Sequence, residues 1–501
     1  MNPVDGHDTA LAVETAGEYL GHVARWLNGR TAYGGSLMDH GVLRQRLALG
    51  ITAHRAAAAA QAQAQARTGP EPRTREVHAL RAAAVSSALD CVRRCQEIHA
   101  GAGVFDTRPD TVRRIHLRLP GAPGLGPTPD HLGLGPLGRL DPPFTDRLAK
   151  TLGTSLSVPV VPPPVSSSGP VTAEARRLVM ALQEANPAAA TTLLDDVITA
   201  EALARLLPPG LAARVMTHRQ VVRSYLTGPG AAPASARILQ EVRAEGALVA
   251  VAVTEPQVGS DLSALRTTVR RAGPDLMLDG TKTYVAGAAD CDFVLVAARR
   301  ETGLVLAWAD TRRPEVHRRP LPTRAWRGVG FAALDLRSYA LSERDLHRGE
   351  ATGTLLTGLI RERLILAAQQ LAYARRWIAD IRSGRRTELA RRTLAAQALL
   401  EAVLRGPGAP SMADSGMAKV ASCAVALEVA EARTEAAVEQ GPRGVPVDEL
   451  LDDEASAKAC TFAGGTADLN LALVEGNILS LLAPPAPRAS TEGGQNGRAA
   501  E

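Results

Sequence analysis

The 501-residue chain is 45% hydrophobic and 22% charged, which excludes a largely disordered protein and favours several folded domains. Its net charge of +5 comes without a long Lys/Arg block or interleaved aromatic residues, which argues against nucleic-acid binding. Because the sequence shows no long apolar span, signal-peptide pattern, zinc-type cysteine spacing or disulfide framework, we expect a cytoplasmic protein with no metal and no contact with membranes.

The pattern of apolar residues, Gly and Pro divides the chain into six segments. In order they predict a helical bundle, a Gly/Pro-rich linker, a helical domain, an antiparallel β domain, a second helical bundle and a disordered tail. The corresponding residues are 1–119, 120–170, 171–246, 247–350, 351–483 and 484–501.

Two local predictions refine this outline. The pair Asp279-Gly280 lies between two β-type runs and is typical of a hairpin turn. Near the end of the second bundle, helical spacing extends over residues 450–482 and predicts one long helix.

Four short strings carry the functional signal. Residues 251–261 read V-A-V-T-E-P-Q-V-G-S-D, and residues 280–286 read G-T-K-T-Y-V-A. A strand end that turns at Pro and Gly exposes backbone N–H groups and small hydroxyls, which can bind the edge of a ligand. Further along, residues 359–368 read L-I-R-E-R-L-I-L-A-A, and residues 463–466 read A-G-G-T.

These strings, in this order, resemble those of acyl-CoA dehydrogenases, flavoproteins that remove hydrogens from the two carbons next to a thioester carbonyl. The resemblance implies an α+β fold with a helical domain, an antiparallel β-barrel middle domain and a C-terminal four-helix bundle, preceded here by a second four-helix bundle. It implies FAD as the cofactor. The residues it assigns to FAD in the later half of the chain are Val253 and Thr254 at the pyrimidine edge, then Tyr284, Val285, Ala286, Gly465 and Thr466.

The resemblance also implies a catalytic base. In the isovaleryl and long-chain branch, the glutamate of L-x-x-E-R-L-x-x-A takes the proton, which here is Glu362. Most other branches place the base directly before a Gly-Thr pair, but that position is Gly464, which has no carboxylate. Gly464 is instead implied to hold the thioester carbonyl, and Ser260 the acyl chain or its carrier. The alternative is that Glu362 merely pairs with Arg363 on a helix surface.

The first bundle resembles a stray copy of the closing bundle of the same family. Residues 30–34 (R-T-A-Y-G) match the R-x-x-F-G loop that reaches a neighbouring subunit's FAD, and residues 97–103 (E-I-H-A-G-A-G) match its Q-x-H-G-G-x-G loop. Both loops are missing from the second bundle. We therefore expect an internal pseudo-dimer with one composite FAD site, although the first bundle could retain these strings without binding cofactor. Its implied FAD contacts are Arg30, Tyr33, Glu97, Ala100 and Gly101.

These expectations lead to an FAD-dependent dehydrogenase of acyl thioesters carried by coenzyme A or a carrier protein, with an unspecified electron acceptor and a possible homodimer of internal pseudo-dimers. Two alternatives remain open. Ala286 lacks the hydroxyl that the family places near flavin N5, which favours a flavin-dependent monooxygenase or oxidase. The chain could also be a non-catalytic homologue that has lost its cofactor.

Overall fold

The computed structural model describes residues 6–29, 31–32, 35–39, 41–67, 74–105, 169–185, 192–273, 275–381, 385–440 and 445–475, with isolated residues between 137 and 150. The predicted tail and most of the predicted linker lie outside these ranges. In the described part of the chain, no helix is both long and apolar enough to span a bilayer.

The described residues of the first bundle include three long helices. They are α1 (Gly6–Gly29), α2 (Gly41–Ala66) and α3 (Thr74–Phe105), with a short antiparallel pair β1 (Thr31–Ala32) and β2 (Gly35–Ser36) after α1. The Ala- and Gln-rich second half of α2 has high helix propensity and small side chains, so α2 and α3 pack closely along their length.

The helical domain follows. It comprises α4 (Gly169–Ala185), α5 (Leu193–Leu206), α6 (Pro209–Val221) and α7 (Ser235–Glu245), and a π-helical turn (Val222–Leu226) continues α6. The start of α5 is fixed by a capping box, in which the Thr192 side chain and the Asp195 carboxylate each accept from the other's backbone N–H.

The β domain is one seven-stranded sheet. Its strands are β3 (Val249–Ala252), β4 (Thr268–Ala272), β5 (Asp275–Val285), β6 (Phe293–Arg300), β7 (Gly303–Asp310), β8 (Val316–Pro320) and β9 (Ala332–Leu341). The order is β3-β6-β4-β5-β9-β8, with β7 also paired to β6. The expected β domain is present, but its sheet is mixed, because β3 and β4 both pair with β6 in parallel.

The predicted hairpin at Asp279-Gly280 is wrong. Both residues lie inside the continuous strand β5, at a register shift in its pairing with β9. Gly280 has a φ of 153°, and a methyl group there would lie 2.5 Å from the Thr267 hydroxyl oxygen. The glycine therefore allows a bulge and a close backbone approach rather than a turn.

The second bundle contains α8 (Ala351–Ile378), α9 (Arg385–Arg405), α10 (Met412–Gln440), α11 (Val447–Cys460) and α12 (Ala467–Glu475). The single helix predicted over 450–482 is wrong, because a turn separates α11 from α12. Gly464 and Gly465 adopt φ angles of 64° and 89°, which are left-handed values that end a helix.

The two bundles share one apolar core. Buried residues of α1, α2 and α3 form a single cluster with Leu394, Ala398 and Leu399 of α9 and with Leu471 of α12. A hydrogen bond also joins the two bundles: Gln63 Nε2 donates to the Ala398 carbonyl over 3.3 Å. Since this interface is closed by buried side chains of both bundles, it stabilises their arrangement through apolar burial.

Candidate active site

A buried ion pair organises the strand end that carries the T-E-P string. Lys282 Nζ lies 2.8 Å from Glu255 Oε1 and also donates to the Val253 carbonyl over 2.9 Å. Glu255 further accepts from the backbone N–H groups of Arg266 and Thr267. Burial alone would raise the pKa of the Glu255 carboxyl, but these hydrogen bonds lower it to about 2.

Replacing Lys282 by Met is expected to lower the free energy of unfolding by about 3–5 kcal/mol, because it leaves a buried carboxylate without its cation. The measurement is urea unfolding of both proteins. Lys458→Met is the matched control, since Lys458 is exposed on α11. An equal loss of unfolding free energy in both variants would show that the buried lysine stabilises the protein no more than an exposed one.

The pair holds the predicted flavin-binding residues in place. Thr283 N–H donates to the Thr254 carbonyl over 2.9 Å, which fixes the β3 end against β5. Beyond this contact Val285 is buried, whereas Tyr284 has a φ of 52° and a side chain that is 70% exposed. An aromatic side chain in this rarely adopted conformation, lying largely in solvent, marks a surface suited to covering by a flat ligand.

Glu362, the predicted base, and Gly464, predicted to hold the thioester carbonyl, lie side by side. A methyl group at Gly464 would lie 3.9 Å from the Glu362 carboxyl carbon and 3.4 Å from Leu366 Cδ1. The turn itself is fixed by Arg363, whose Nε donates to the Gly464 carbonyl over 2.9 Å, and by Lys419, whose Nζ donates to the Gly465 carbonyl. The side chains of Arg363 and Lys419 are buried.

The Glu362 carboxylate is half-buried and forms no hydrogen bond to any residue that the structure describes. The predicted alternative, a surface salt bridge with Arg363, is absent from the described contacts, because the Arg363 guanidinium turns toward Gly464 and Met412. Burial raises the pKa of the Glu362 carboxyl, against the opposing charges of Lys419 and Arg363. A carboxylate with a raised pKa and spare acceptor capacity is suited to proton transfer.

An apolar cluster joins the two halves of the site. Its buried members are Trp326, Val329, Leu366, Cys423, Ala459 and Cys460. Ala286 from the β domain and Ala463 from the bundle both pack against it. No described residue accepts a hydrogen bond from the backbone N–H of Thr254, Ala286 or Gly464. The site therefore combines apolar walls with backbone N–H groups that can donate to a ligand.

Most of the remaining predicted site residues are exposed or lie outside the described residues. Ser260 and Thr466 are exposed. Arg30 and Tyr33 lie outside the described residues. Glu97 is exposed on α3, and Ala100 and Gly101 continue the same helix, so this segment is helical rather than a loop.

The sequence strings did not single out Lys419, although a signal exists. The chain has four lysines among its 57 Lys and Arg residues, and two of the four, Lys282 and Lys419, are buried. A lysine ammonium is compact and donates up to three hydrogen bonds, whereas the planar guanidinium of arginine needs more room. The presence of a lysine in this arginine-rich chain is therefore the signal that could have pointed to Lys419.

Two family sequence models match the chain. "Acyl-CoA dehydrogenase, middle domain" matches residues 250–338, and "Acyl-CoA dehydrogenase, C-terminal domain" matches residues 9–123. The second match falls on the first bundle, at the opposite end of the chain from where its name would place it.

Individual relatives agree with these matches. A "Probable acyl-CoA dehydrogenase" of Escherichia coli K12 is 30% identical over 133 residues, 25% of this chain and 35% of the relative. The mitochondrial long-chain specific acyl-CoA dehydrogenase of Mus musculus is 31% identical over 108 residues, 21% of this chain and 24% of the relative. The aligned part thus spans about a third or less of these relatives.

Solved structures agree over a longer range. A glutaryl-CoA dehydrogenase of Mycobacterium smegmatis, solved in complex with FADH2, superposes with a TM-score of 0.59 at 16% identity, covering 70% of this chain and 98% of that one. Butyryl-CoA dehydrogenase of Megasphaera elsdenii gives a TM-score of 0.56 at 16% identity, covering 69% and 99%. At sequence identities this low, the structural similarity shows that this chain shares their fold.

Proposed function

We propose that this chain, which carries acyl-CoA dehydrogenase domains and has the acyl-CoA dehydrogenase fold, is an FAD-dependent enzyme that dehydrogenates the α and β carbons of an acyl thioester. One observation carries the proposal: the half-buried Glu362 carboxylate lies beside the Gly464 turn, and neither the carboxylate nor the Gly464 N–H has a hydrogen-bond partner among the described residues. Such a reaction needs a base for the α-proton and a donor for the thioester oxygen, and this pair offers both.

The residues of this site fit a flavin. The backbone N–H groups of Thr254 and Ala286 have no acceptor among the described residues, and Tyr284, two positions before Ala286, exposes its ring. On the bundle side, Gly465 leaves open a position where a methyl group would lie 3.3 Å from Arg363 Nη2, a buried donor with no described partner. We assign Val253, Thr254, Tyr284, Val285, Ala286, Gly465 and Thr466 to FAD binding.

The protein's own groups account for the rest of the reaction. Glu362 accepts the α-proton, and its raised pKa brings it closer to the working pH than an exposed carboxylate would be. Gly464 N–H donates to the thioester oxygen and stabilises the charge that develops there. Bound FAD supplies the acceptor for the hydrogen leaving the β-carbon. Ser260, exposed on the β domain, is assigned to the acyl chain or its carrier.

The first bundle completes the cofactor site in this proposal. It matches the family's C-terminal domain, and it packs on the second bundle through a shared apolar core. We assign Arg30, Tyr33, Glu97, Ala100 and Gly101 to the distal part of FAD. The chain then acts as an internal pseudo-dimer with one composite site, and a homodimer of such units is the proposed assembly.

Replacing Arg30 by Ala is expected to weaken FAD retention about tenfold or more, because a guanidinium paired with a phosphate contributes a strong charge-assisted hydrogen bond. Flavin absorbance per protein after gel filtration measures the retention. Arg25→Ala is the control, because Arg25 is exposed on α1 of the same bundle. Equal flavin content in the two variants would show that Arg30 does not contribute to FAD binding.

The reaction is tested by adding a panel of acyl thioesters, on coenzyme A and on a carrier protein, to the purified protein without oxygen. Bleaching of the flavin by at least one thioester is the expected result, and the responding compound identifies the acyl length and carrier. A yellow protein that no thioester bleaches would contradict the dehydrogenase. A colourless protein that takes up no added FAD would indicate the non-catalytic homologue.

A second candidate, a flavin-dependent monooxygenase or oxidase of the same fold, rests on Ala286. This residue packs against the Trp326 cluster and brings no hydroxyl to the site. Stopped-flow mixing of the reduced protein with oxygen separates the two. Slow reoxidation favours the dehydrogenase, and fast reoxidation favours the oxygen-using enzyme.

A further inference from the structure

A buried amide holds the far side of the Gly464 turn. Asn470, on the first turn of α12, is fully buried, and its Nδ2 donates to the carbonyls of Gly465 and Thr466, each over 2.8 Å. Because both partners are carbonyl acceptors, they fix which way round the amide lies. Asn470 therefore ties the end of the turn to the helix that follows it.

The neighbouring helix α10 leaves space for this side chain. A methyl group on Gly416 would lie 3.2 Å from Asn470 Oδ1 and 3.4 Å from the Asn470 carbonyl oxygen, which is closer than most side chains approach. Glycine at this position therefore lets α12 pack tightly against α10. The buried Oδ1 has no hydrogen-bond partner among the described residues, and the two hydrogen bonds donated by Nδ2 offset the cost of this unpaired acceptor.

Side chains from three helices hold the carbonyls of the turn. Arg363 of α8 donates to the Gly464 carbonyl over 2.9 Å. Lys419 of α10 and Asn470 of α12 both donate to the Gly465 carbonyl. Because a glycine backbone has more freedom than that of any other residue, a turn of two glycines keeps its N–H groups in one direction only when its peptide planes are fixed from outside.

We propose that Asn470 is a positioning residue for the substrate, which fixes the Gly465 carbonyl and thereby keeps the Gly464 N–H directed at the thioester oxygen. The role rests on the proposed function of Gly464 as the donor to that oxygen. Among the three side chains described above, Asn470 alone is uncharged, whereas the other two carry positive charges that act on Glu362. Removing the amide therefore changes the direction of the donor and leaves those charges in place.

The test compares Asn470→Leu, which has the same branched arrangement of heavy atoms but no donor, with the full-length parent protein loaded with FAD. The probe is the α,β-unsaturated form of the thioester that bleaches the flavin, isotopically labelled at its carbonyl carbon. A hydrogen bond to the carbonyl oxygen moves its infrared band to lower frequency. In the variant the band should lie closer to that of the free thioester. The kcat should fall about tenfold with a smaller change in KM, because the charge on this oxygen develops in the transition state.

Hydrogen–deuterium exchange without FAD or thioester tests the turn itself. The amides of residues 461–463 and 469–470 are hydrogen-bonded around the turn, and they should exchange about tenfold faster in Asn470→Leu. Gly416→Ala keeps the amide but displaces it, so it should move the carbonyl band in the same direction. Gln397→Leu is the matched control: it removes a buried amide that donates to Glu401 within α9 and should leave the band at the parent frequency.

Parent-like exchange and an unmoved carbonyl band in Asn470→Leu would overturn the positioning role, and the proposed reaction would stand. Faster exchange with an unmoved band would instead show that the thioester oxygen does not depend on this turn, which contradicts Gly464 as its donor. If Asn470→Leu does not fold, the band position in Gly416→Ala decides by the same criterion.

Discussion

Replacing Glu362 by Gln is expected to lower kcat about 100- to 10,000-fold, because it removes the group that accepts the α-proton. The amide keeps the size of the side chain and its place beside Gly464, so FAD content and the unfolding midpoint should stay close to those of the parent. Steady-state kinetics with the responding thioester measure the loss. Glu431→Gln on the exposed face of α10 is the matched control and should retain full activity.

The same residue sets the pH dependence. Because burial raises the pKa of Glu362, activity should fall as pH decreases through a limb above the ordinary carboxyl range, where the base becomes protonated. In Glu362→Gln the residual activity should lose this limb. Activity near the parent level in the glutamine variant, with the limb intact, would assign the proton transfer to another group.

Replacing Ala398 by Asp is expected to destabilise the protein by several kcal/mol and to release FAD. Ala398 is fully buried in the core that the first and second bundles share, and its carbonyl accepts from Gln63. A carboxylate there has no cation to pair with and too little space, so the two bundles should separate. Chemical unfolding and flavin retention measure the two effects.

The matched control is Ala402→Asp, one helical turn further along α9 on its exposed surface. It carries the same change of charge and helix propensity without burial. Loss of flavin from Ala398→Asp alone supports a cofactor site completed by the first bundle. If Ala398→Asp destabilised the protein yet retained FAD, the shared core would be structural and the cofactor would depend on the later half of the chain.

Two of the strings singled out in the sequence lie close together in the fold, although their catalytic and substrate-binding roles stay predictions. The E-R and A-G-G-T strings are about a hundred residues apart, and the structure brings Glu362 to within contact distance of the Gly464 turn. Helical spacing also predicted the main helices, with α9 observed at Arg385–Arg405. Such features depend on side chains close in sequence, or on a motif whose partner is known from the resemblance.

Features that depend on register could not be predicted in this way. Asp279-Gly280 has the composition of a turn, but pairing of β5 with β9 makes it a bulge. The Glu255–Lys282 pair joins residues 27 positions apart, and only the packing of β3 against β5 aligns them. The approach of Tyr225 to Gly358 depends on a π-helical turn, which the apolar pattern of α6 does not announce.

The proposed dehydrogenation is measured most directly in an anaerobic single turnover with the thioester that bleaches the flavin. Mass spectrometry of the quenched reaction counts α,β-unsaturated thioester against bound FAD. We expect about one unsaturated product per flavin in the parent protein and almost none in Glu362→Gln over the same time. A parent protein that holds FAD and thioester together but forms no unsaturated product would contradict the proposed dehydrogenation.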